Sequence, residues 1–370
     1  MHIAINCRSF SKGQFTGIGR YASSLVGSLA RVDPANRYSL YTTRGWRQVR
    51  RRVHRAGARN FSVCFDWLNR GAAKVLKSVD VYHAPCPEVV PDIPARVVVT
   101  VHDLIYKTYP QGHTGETLAL TETQFRSLVP RASKIICSSK NTLEDLRKYF
   151  PGAAGKACFI YQGVDREVFY PLSGDERRAA REILARAGLD GPFLLFVGTI
   201  EPRKNLKGLL EAYARLKQKK LFTGKLAVAG MTGWKSEGLT EWIERLGLTR
   251  DVVFLGFVTN DQLRALYNLA EVFVFPSFYE GFGYPIVEAF SCGAAVVTSN
   301  VSSCPELAGD AALVVNPLDP EEICAAAATL LNDPPVRDAF REKAIARARE
   351  FDNLETARKT LRVYEEVYES

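Results

Sequence analysis

The sequence has no apolar run approaching the roughly 20 residues that a helix needs to span a bilayer, so it does not predict an integral membrane protein. Its N-terminus also lacks the basic region, apolar stretch and cleavage site of a secretory signal. We therefore expect a cytoplasmic protein, peripheral at the inner face of the plasma membrane if one of its surfaces binds lipid.

Paired metal-ligand and redox patterns are missing as well. The 8 cysteines form no C-x-x-C pair, the 5 histidines show no H-x-x-x-H spacing, and no D-x-D triplet occurs. Scattered cysteines, three of them inside apparent buried strands, favour reduced structural thiols over disulfides or a metal site. We therefore expect chemistry that needs no cofactor and no metal ion.

One segment lacks acidic residues altogether. Residues 44–59 contain seven arginines and no acid, in a chain whose net charge is +9. Trp46, Val49 and Val53 could share one face of a helix, with arginines around it. The segment is typical of a solvated basic loop, or of a surface for anionic lipid headgroups, where each basic residue adds about 1 kcal/mol. Nucleic acid is a third interpretation, but no nucleic-acid fold pattern accompanies the charge.

The 370 residues suit two domains, and the pattern of elements repeats twice. Apolar strands alternate with helices, which predicts parallel sheets covered on both faces. A polar interval at about 169–190 separates the two halves, and the last two helices carry no strand. We expect six strands in each half, at 2–8, 37–43, 79–85, 95–103, 133–139 and 158–163, and at 192–199, 225–230, 252–258, 272–277, 294–300 and 312–317.

The most informative segment is 275–297, FPSFYEGFGYPIVEAFSCGAAVV. A buried strand precedes it, Pro285 suits the first turn of a helix, and Gly293 suits the position after the helix ends. Glu280 then lies in the loop and Glu288 in the second helical turn. Two carboxylates beside the free amides of a helix N-terminus suit a ligand with both hydroxyls and phosphates, such as a nucleotide sugar.

This segment resembles the donor site of retaining glycosyltransferases of the GT-B fold, in particular family 4 with its E-x7-E motif. The resemblance includes the glycine pair, the proline and the strand that follows. It implies two Rossmann-like domains that face each other across a cleft. It also implies that Glu280 contacts the sugar ring and Glu288 the ribose, in a site that includes Gly281, Phe282 and Gly283.

The resemblance also implies a division of the chain. Residues 1–170 would form the acceptor-binding domain and residues 171–350 the nucleotide-sugar-binding domain. The helix at 351–370 would cross back onto the first domain. Within the family, the sequence looks most like bacterial mannosyltransferases of surface-polysaccharide assembly. GDP-mannose is therefore favoured as the donor, with a UDP-hexose as the alternative and a nucleotide-sugar epimerase as a rival activity.

In the second half, Gly198 ends a strand, and Arg203 with Lys204 precedes a helix that starts near Asn205. Two cations beside a helix N-terminus can neutralise a diphosphate and its developing charge, although such a pair is also common on solvated helix starts. The resemblance implies the phosphate role. Many relatives space the two cations as G-R-x4-K, however, and Thr199 stands where that Arg would be.

In the first half, Gly17 and Gly19 are expected in the loop after the first strand, where glycine permits close approach to a ligand. His102 and Asp103 follow a buried strand, and the resemblance implies that His102 contacts the donor hexose. Ser138 could bind a sugar or phosphate, and its neighbour in the chain is favoured as a helix cap.

Two further positions are assigned to the donor site by their place alone. Trp234 and Val258 follow strands in the second half, where relatives hold the nucleotide base. Core packing is the competing interpretation for both. The predicted catalytic residues are thus His102, Glu280 and the cation pair, with attack on the front face of the donor and retention of configuration.

Overall fold

The computed structural model describes residues 1–9, 17–55, 57–88, 90–112, 114–231, 233 and 238–370, with the backbone alone for 52–55. By its internal contacts the chain divides into two compact units. The first combines Met1–Gly163 with Phe351–Ser370, and the second is Val164–Glu350. None of the described helices is both long and apolar enough to cross a membrane. All eight cysteines are free thiols.

The first unit contains a parallel sheet of seven strands in the order β3-β2-β1-β4-β5-β6-β7. The strands are β1 (His2–Asn6), β2 (Arg37–Thr42), β3 (Phe61–Phe65), β4 (Val81–Ala84), β5 (Arg96–Val101), β6 (Lys134–Cys137) and β7 (Ala157–Phe159). Five of the six predicted strands are confirmed within a few residues. The sixth ends at Phe159 rather than Gly163, and β3 was not predicted. Its residues lie at the sheet edge and are half-exposed or exposed.

The described residues before Gly163 include six α-helices. They are α1 (Gly17–Val32), α2 (Trp46–Arg55), α3 (Ala72–Val75), α4 (Ile105–Thr108), α5 (Gly115–Arg131) and α6 (Lys140–Tyr149). In α2, Val49 is buried and Trp46 half-buried, while Arg47, Arg50 and Arg51 are exposed. Trp46–Arg55 is therefore a helix with Val49 buried on one side, and the side chain of Val53, the third residue of the predicted apolar face, lies outside the described residues.

The second unit contains a parallel sheet of six strands in the order β10-β9-β8-β11-β12-β13. The strands are β8 (Phe193–Val197), β9 (Lys225–Ala229), β10 (Val252–Gly256), β11 (Val272–Phe275), β12 (Val296–Ser299) and β13 (Leu313–Val315). All six were predicted. β8 and β11 are neighbours, with Leu194 paired to Val272. The chain leaves β8 toward one side of the sheet and β11 toward the other, so their loops open a crevice at the carboxyl edge.

The described part of this unit contains eight α-helices. They are α7 (Gly174–Arg186), α8 (Leu206–Gln218), α9 (Leu239–Arg245), α10 (Asn260–Leu269), α11 (Tyr284–Ser291), α12 (Cys304–Ala308), α13 (Pro320–Asn332) and α14 (Pro334–Ala348). The polar interval that interrupts the strand pattern contains α7. Its buried Ala180 and Leu184 lie four residues apart, so one face packs inward although most of the helix is charged.

The last helix, α15 (Asn353–Glu369), packs on α1, β4 and β5 of the first unit. The hydroxyl of Tyr364 lies 2.6 Å from Nδ1 of the buried His83. The start of this helix lies close to the backbone at Gly163. A Cβ on Gly163 would lie 2.4 Å from the backbone nitrogen of Asn353. Glycine at this position therefore permits the contact that returns the chain to the first unit.

Candidate active site

The strand–loop–helix around Glu280 has the local structure that its sequence predicted. β11 ends at Phe275, a loop follows, and α11 begins after Gly283, whose φ is 112°. Pro285 lies in the first helical turn. Gly293, with φ 71°, follows the helix in the left-handed conformation. Glu280 is therefore on the loop at the carboxyl edge of the sheet.

Three donors meet at one oxygen of the Glu280 carboxylate. Its Oε1 lies 2.6 Å from Nζ of Lys204, 2.9 Å from Nη1 of Arg203 and 2.7 Å from Oγ of Ser277. Burial by itself raises the pKa of this carboxyl, but the two cations and the hydrogen bonds outweigh it and bring the pKa to about 2. Glu280 is therefore a carboxylate at neutral pH.

The cations reach Glu280 from the loop after β8. Arg203 and Lys204 lie in a short 3₁₀ turn, Pro202–Lys204, and Asn205 caps α8 by accepting a hydrogen bond from the backbone of Gly208. Burial, together with the charge of Arg203, lowers the pKa of Lys204, which Glu280 partly offsets. The predicted cation pair and the predicted glutamate are thus in direct contact, because their loops flank the same crevice.

Glu201 is a fourth charged member of this cluster, and sequence reasoning missed it. It forms an ion pair with Nη2 of Arg203, whose Nη1 also donates to the backbone oxygen of Tyr279 at 2.7 Å. The sequence offered one indication of this contact, because Glu201 precedes Arg203 by only two residues. Gly198 ends the strand below, and a Cβ there would lie 3.6 Å from the Lys204 side chain.

Serines hold the Glu280 loop in place, and they too were missed. Oγ of Ser303 donates to the backbone oxygens of Glu280 and Phe282 at 2.9 and 2.6 Å. Oγ of Ser302 accepts from the backbone N–H of Glu280 at 2.8 Å. Ser302 has φ 54°, an unusual conformation for a residue other than glycine. The run SNVSSC at the end of β12 was the signal in the sequence. Because β12 lies next to β11, polar residues that follow β12 can reach the loop that follows β11.

The remaining residues of the motif lie on the same strand–loop–helix. Glu288 is buried in the second turn of α11, and the hydroxyl of Tyr267 donates to its Oε2 at 3.1 Å. Phe282 is buried, and Gly281 is half-buried beside it. A Cβ on Gly283 would lie 3.2 Å from Leu307.

In the first unit, His102 follows β5 and is buried with both ring nitrogens hydrogen-bonded. Nε2 lies 2.6 Å from the backbone oxygen of Pro85, and Nδ1 lies 2.7 Å from Nε2 of Gln162. A carbonyl can only accept, so the proton is on Nε2 and Nδ1 accepts from the amide. Burial lowers the pKa of His102. The ring is therefore neutral, and Gln162 is a partner that the sequence did not indicate.

The serines after β6 and the acid after His102 make local hydrogen bonds. Oγ of Ser138 is buried and donates to the backbone oxygen of His102 at 2.6 Å. Ser139 caps α6 by accepting from Thr142, as predicted. Asp103 accepts from the backbone N–H of Ile105 at 3.1 Å, at the start of α4. His102 and Ser138 thus lie together at the carboxyl edge of the first sheet.

Two predicted site residues differ from expectation, and a third lies outside the described residues. Gly17 and Gly19 belong to the first turn of α1 and not to the preceding loop. The prediction was wrong because first-turn amides have no helical partner, so glycine costs little there. Trp234 lies outside the described residues. Val258 is half-buried after β10, at the edge of the second sheet. The described residues contain no group of three or more His, Cys, Asp or Glu side chains placed to hold a metal ion.

The chain is similar to known protein families and proteins. Residues 180–347 match the family described as Glycosyl transferases group 1, and residues 15–168 match Glycosyltransferase Family 4. The O-antigen chain mannosyltransferase B of Escherichia coli is 33% identical over 285 residues, which cover 77% of this chain and 74% of that protein. The serotype-specific mannosyltransferase WbdA of the same species is 31% identical over 72% of this chain but 33% of its own length.

Solved structures show the same fold. The crystal structure of HepE from Anabaena in complex with UDP and glucose has a TM-score of 0.77 and 20% identity. The match covers 99% of this chain and 100% of that one. The predicted fold class, GT-B with two doubly wound parallel sheets, is confirmed.

Proposed function

The chain belongs to the group 1 and family 4 glycosyltransferases, and from this premise we propose that it transfers mannose from GDP-mannose to a glycan or lipid-linked acceptor in polysaccharide assembly. The observation that carries the proposal is the contact of Lys204 and Arg203 with Glu280. It brings cations for a diphosphate next to an acceptor for sugar hydroxyls. Mannose is favoured because both Escherichia coli relatives are named mannosyltransferases.

Glu280 would bind the hexose through its second oxygen. Its Oε1 is occupied by three donors, and among the described residues no hydrogen bond reaches Oε2. A carboxylate oxygen accepts two hydroxyl donors without losing charge. Glu288, held by the hydroxyl of Tyr267, would bind the nucleotide ribose.

These two roles separate in an experiment. Glu280→Gln should lower turnover, whereas Glu288→Gln should chiefly weaken binding of the free nucleotide. Isothermal titration with GDP and steady-state rates would measure the two effects. Equal nucleotide affinity and equal turnover in the two variants would contradict the assignment.

Arg203 and Lys204 would stabilise the departing diphosphate. We propose front-face attack, in which the acceptor hydroxyl bonds to the anomeric carbon as the bond to the diphosphate oxygen breaks, and that oxygen takes the hydroxyl proton. The configuration of the donor is then retained, and the two cations supply the positive charge without a metal ion. NMR of the product should show the donor's anomeric configuration, and activity should survive excess EDTA. An inverted product or complete loss on chelation would reject this mechanism.

His102 would hydrogen-bond a hydroxyl of the hexose, but one of its present hydrogen bonds must be replaced for this. Its Nε2–H points to the Pro85 oxygen and its Nδ1 accepts from Gln162. A sugar hydroxyl that accepts from Nε2 must therefore replace Pro85. His102→Ala should reduce transfer severely while nucleotide binding remains nearly intact. A variant that loses both would indicate a structural role instead.

Donor identity can be tested directly. The protein would be incubated with GDP-mannose, UDP-glucose and other UDP-hexoses, with and without lipid-linked acceptor, while release of nucleoside diphosphate is followed. Acceptor-dependent release from GDP-mannose alone supports the proposal. Release from a UDP-hexose favours the alternative donor, and free sugar without acceptor favours an epimerase.

A lipid-linked acceptor would bring the protein to a membrane surface. We propose that residues 44–59 face anionic headgroups there. Arg44, Arg47, Arg50 and Arg51 are exposed. Each exposed arginine would add about 1 kcal/mol near an anionic surface.

A further inference from the structure

The turn that follows β3 carries large apolar side chains into solvent. We call residues 66–69 the Trp67 turn. In it Trp67 is 72% exposed and Leu68 54% exposed, and Phe65 at the end of β3 is 40% exposed. Large apolar side chains clustered on a surface are a sign of an interaction site rather than of ordinary surface composition.

The Trp67 turn is held in place by a buried carboxylate. Oδ2 of Asp66 accepts from the hydroxyl of Tyr41 at 3.0 Å and from the backbone N–H of Gly71 at 2.8 Å. The backbone N–H of Asp66 donates to the backbone oxygen of Thr42 at 2.9 Å. The backbone N–H of Asn69 donates to the backbone oxygen of Asp66 at 3.1 Å. The acid therefore points inward, while its two neighbours in the chain point outward from a fixed backbone.

The arginine helix α2 lies directly beside this turn. The rings of Trp46, at the start of α2, and Phe65 are 6.4 Å apart, and the guanidinium of Arg47 lies 5.6 Å from the Trp46 ring centre. From residue 37 to residue 79 the sequence contains eleven arginines and lysines and one acid, Asp66. Because Asp66 is buried, the exposed charged residues among those described in this segment are all basic.

This combination fits one partner. We propose that the Trp67 turn inserts into the interface of an anionic lipid bilayer, with the arginines of α2 on the headgroups around it. Tryptophan prefers the level of the headgroups, and basic residues prefer the anionic surface. The turn lies at the carboxyl edge of the first sheet, the same edge as His102, which suits an acceptor held in the membrane. This last point rests on the proposed function, whereas the insertion itself does not.

Insertion differs from electrostatic attraction in its dependence on salt. Attraction by arginines alone is screened as salt rises. Burial of Trp67 and Leu68 in the interface is not, so part of the binding should persist at high salt. The test uses vesicles of equal parts phosphatidylcholine and phosphatidylglycerol, with neither donor nor acceptor, so its outcome does not depend on catalysis.

Two sets of variants separate the contributions. Trp67→Ala with Leu68→Ala should lower vesicle partitioning by about tenfold or more at every salt concentration, because burial of a large apolar side chain contributes at least that factor. Replacement of Arg47, Arg50 and Arg51 by Gln should reduce the salt-dependent part and leave the salt-independent part unchanged. Phe257→Ala, which removes a 61% exposed aromatic side chain from the second unit, is the matched control and should bind like the wild type.

Two further measurements decide between insertion and charge. Brominated lipids should quench the fluorescence of the wild type, and Trp67→Phe should lose most of that quenching while it still binds. Asp66→Ala removes a negative charge but also the anchor of the turn. It should weaken binding if the turn inserts, and strengthen binding if charge alone matters.

The proposal fails on any of three results. It would be contradicted if the wild type did not bind the vesicles, if the Trp67 and Leu68 double variant bound like the wild type, or if quenching were unchanged in Trp67→Phe. Each variant's melting temperature should match that of the wild type, except for Asp66→Ala. Because Trp67 and Leu68 are exposed, their variants keep the test valid if Asp66→Ala fails to fold.

Discussion

Replacement of Glu280 by Gln should destabilise the second unit by an amount that the structure sets. The pKa of this carboxyl falls from its ordinary value of 4.5 to about 2, which corresponds to about 3 kcal/mol in favour of the folded, charged form. Removal of one partner from a buried ion pair costs about 3–5 kcal/mol by an independent measure. The two values agree because the glutamine leaves the buried Lys204 without its carboxylate, while Arg203 keeps its ion pair with Glu201.

The assay is thermal and chemical unfolding of the full chain at pH 7. We expect the melting temperature of the second unit to fall by roughly 6–12 °C for about 3 kcal/mol. Glu182→Gln, which alters an exposed glutamate of the same unit, is the control and should change little. In a double-mutant cycle, Lys204→Met should cost less in the Glu280→Gln background than in the wild type.

The pH dependence gives the sign of the effect. Since the folded-state pKa of Glu280 is below its unfolded-state value, its stabilisation is fully present above pH 4.5 and is lost as the pH falls toward about 2. The stability difference between wild type and Glu280→Gln should therefore shrink on acidification below pH 4.5. An unchanged melting temperature, or strictly additive single and double variants, would refute the reasoning.

Three other outcomes follow from the site. Arg203→Ala and Lys204→Ala should each lower turnover about a hundredfold or more, whereas the exposed Lys207→Ala should not; variants that melt early but keep specific activity would show a structural role. Gln162→Ala should lower hexose transfer with nucleotide affinity kept, because it removes the hydrogen bond to Nδ1 of His102, and transfer at the wild-type rate would argue against Gln162 as a positioning residue. Gln162→Glu should raise the pKa of His102, because a carboxylate favours the imidazolium, and NMR titration would measure that rise.

Local structure around the site was predictable because short-range chemistry decides it. Pro285 and Gly293 mark the two ends of α11, since one lacks an N–H and the other tolerates a left-handed backbone. Ser139 caps α6 for a similar reason. The wrong placement of Gly17 and Gly19 concerns a helix end, where local signals are weakest because the first amides have no partner.

The contacts within the site were only partly predictable. Arg203 and Glu280 were expected at one ligand, but their direct ion pair depends on β8 lying next to β11, and strand order is not written in either segment. Glu201 was missed for the same reason, since its role is visible only once Arg203 has a position. The edge strand β3 was missed because it is half-exposed and carries little periodic signal.

The sequence by itself determined the alternation of strands and helices, the carboxylates and cations that follow particular strands, and the basic character of residues 44–59. These depend on composition and on neighbours a few residues apart. Tertiary structure decided which of these groups meet. It set Glu280 against two cations, occupied both nitrogens of His102, and turned Asp66 inward while Trp67 points outward. Each of these depends on segments far apart in the chain, whose distances and burial arise only when the sheets assemble.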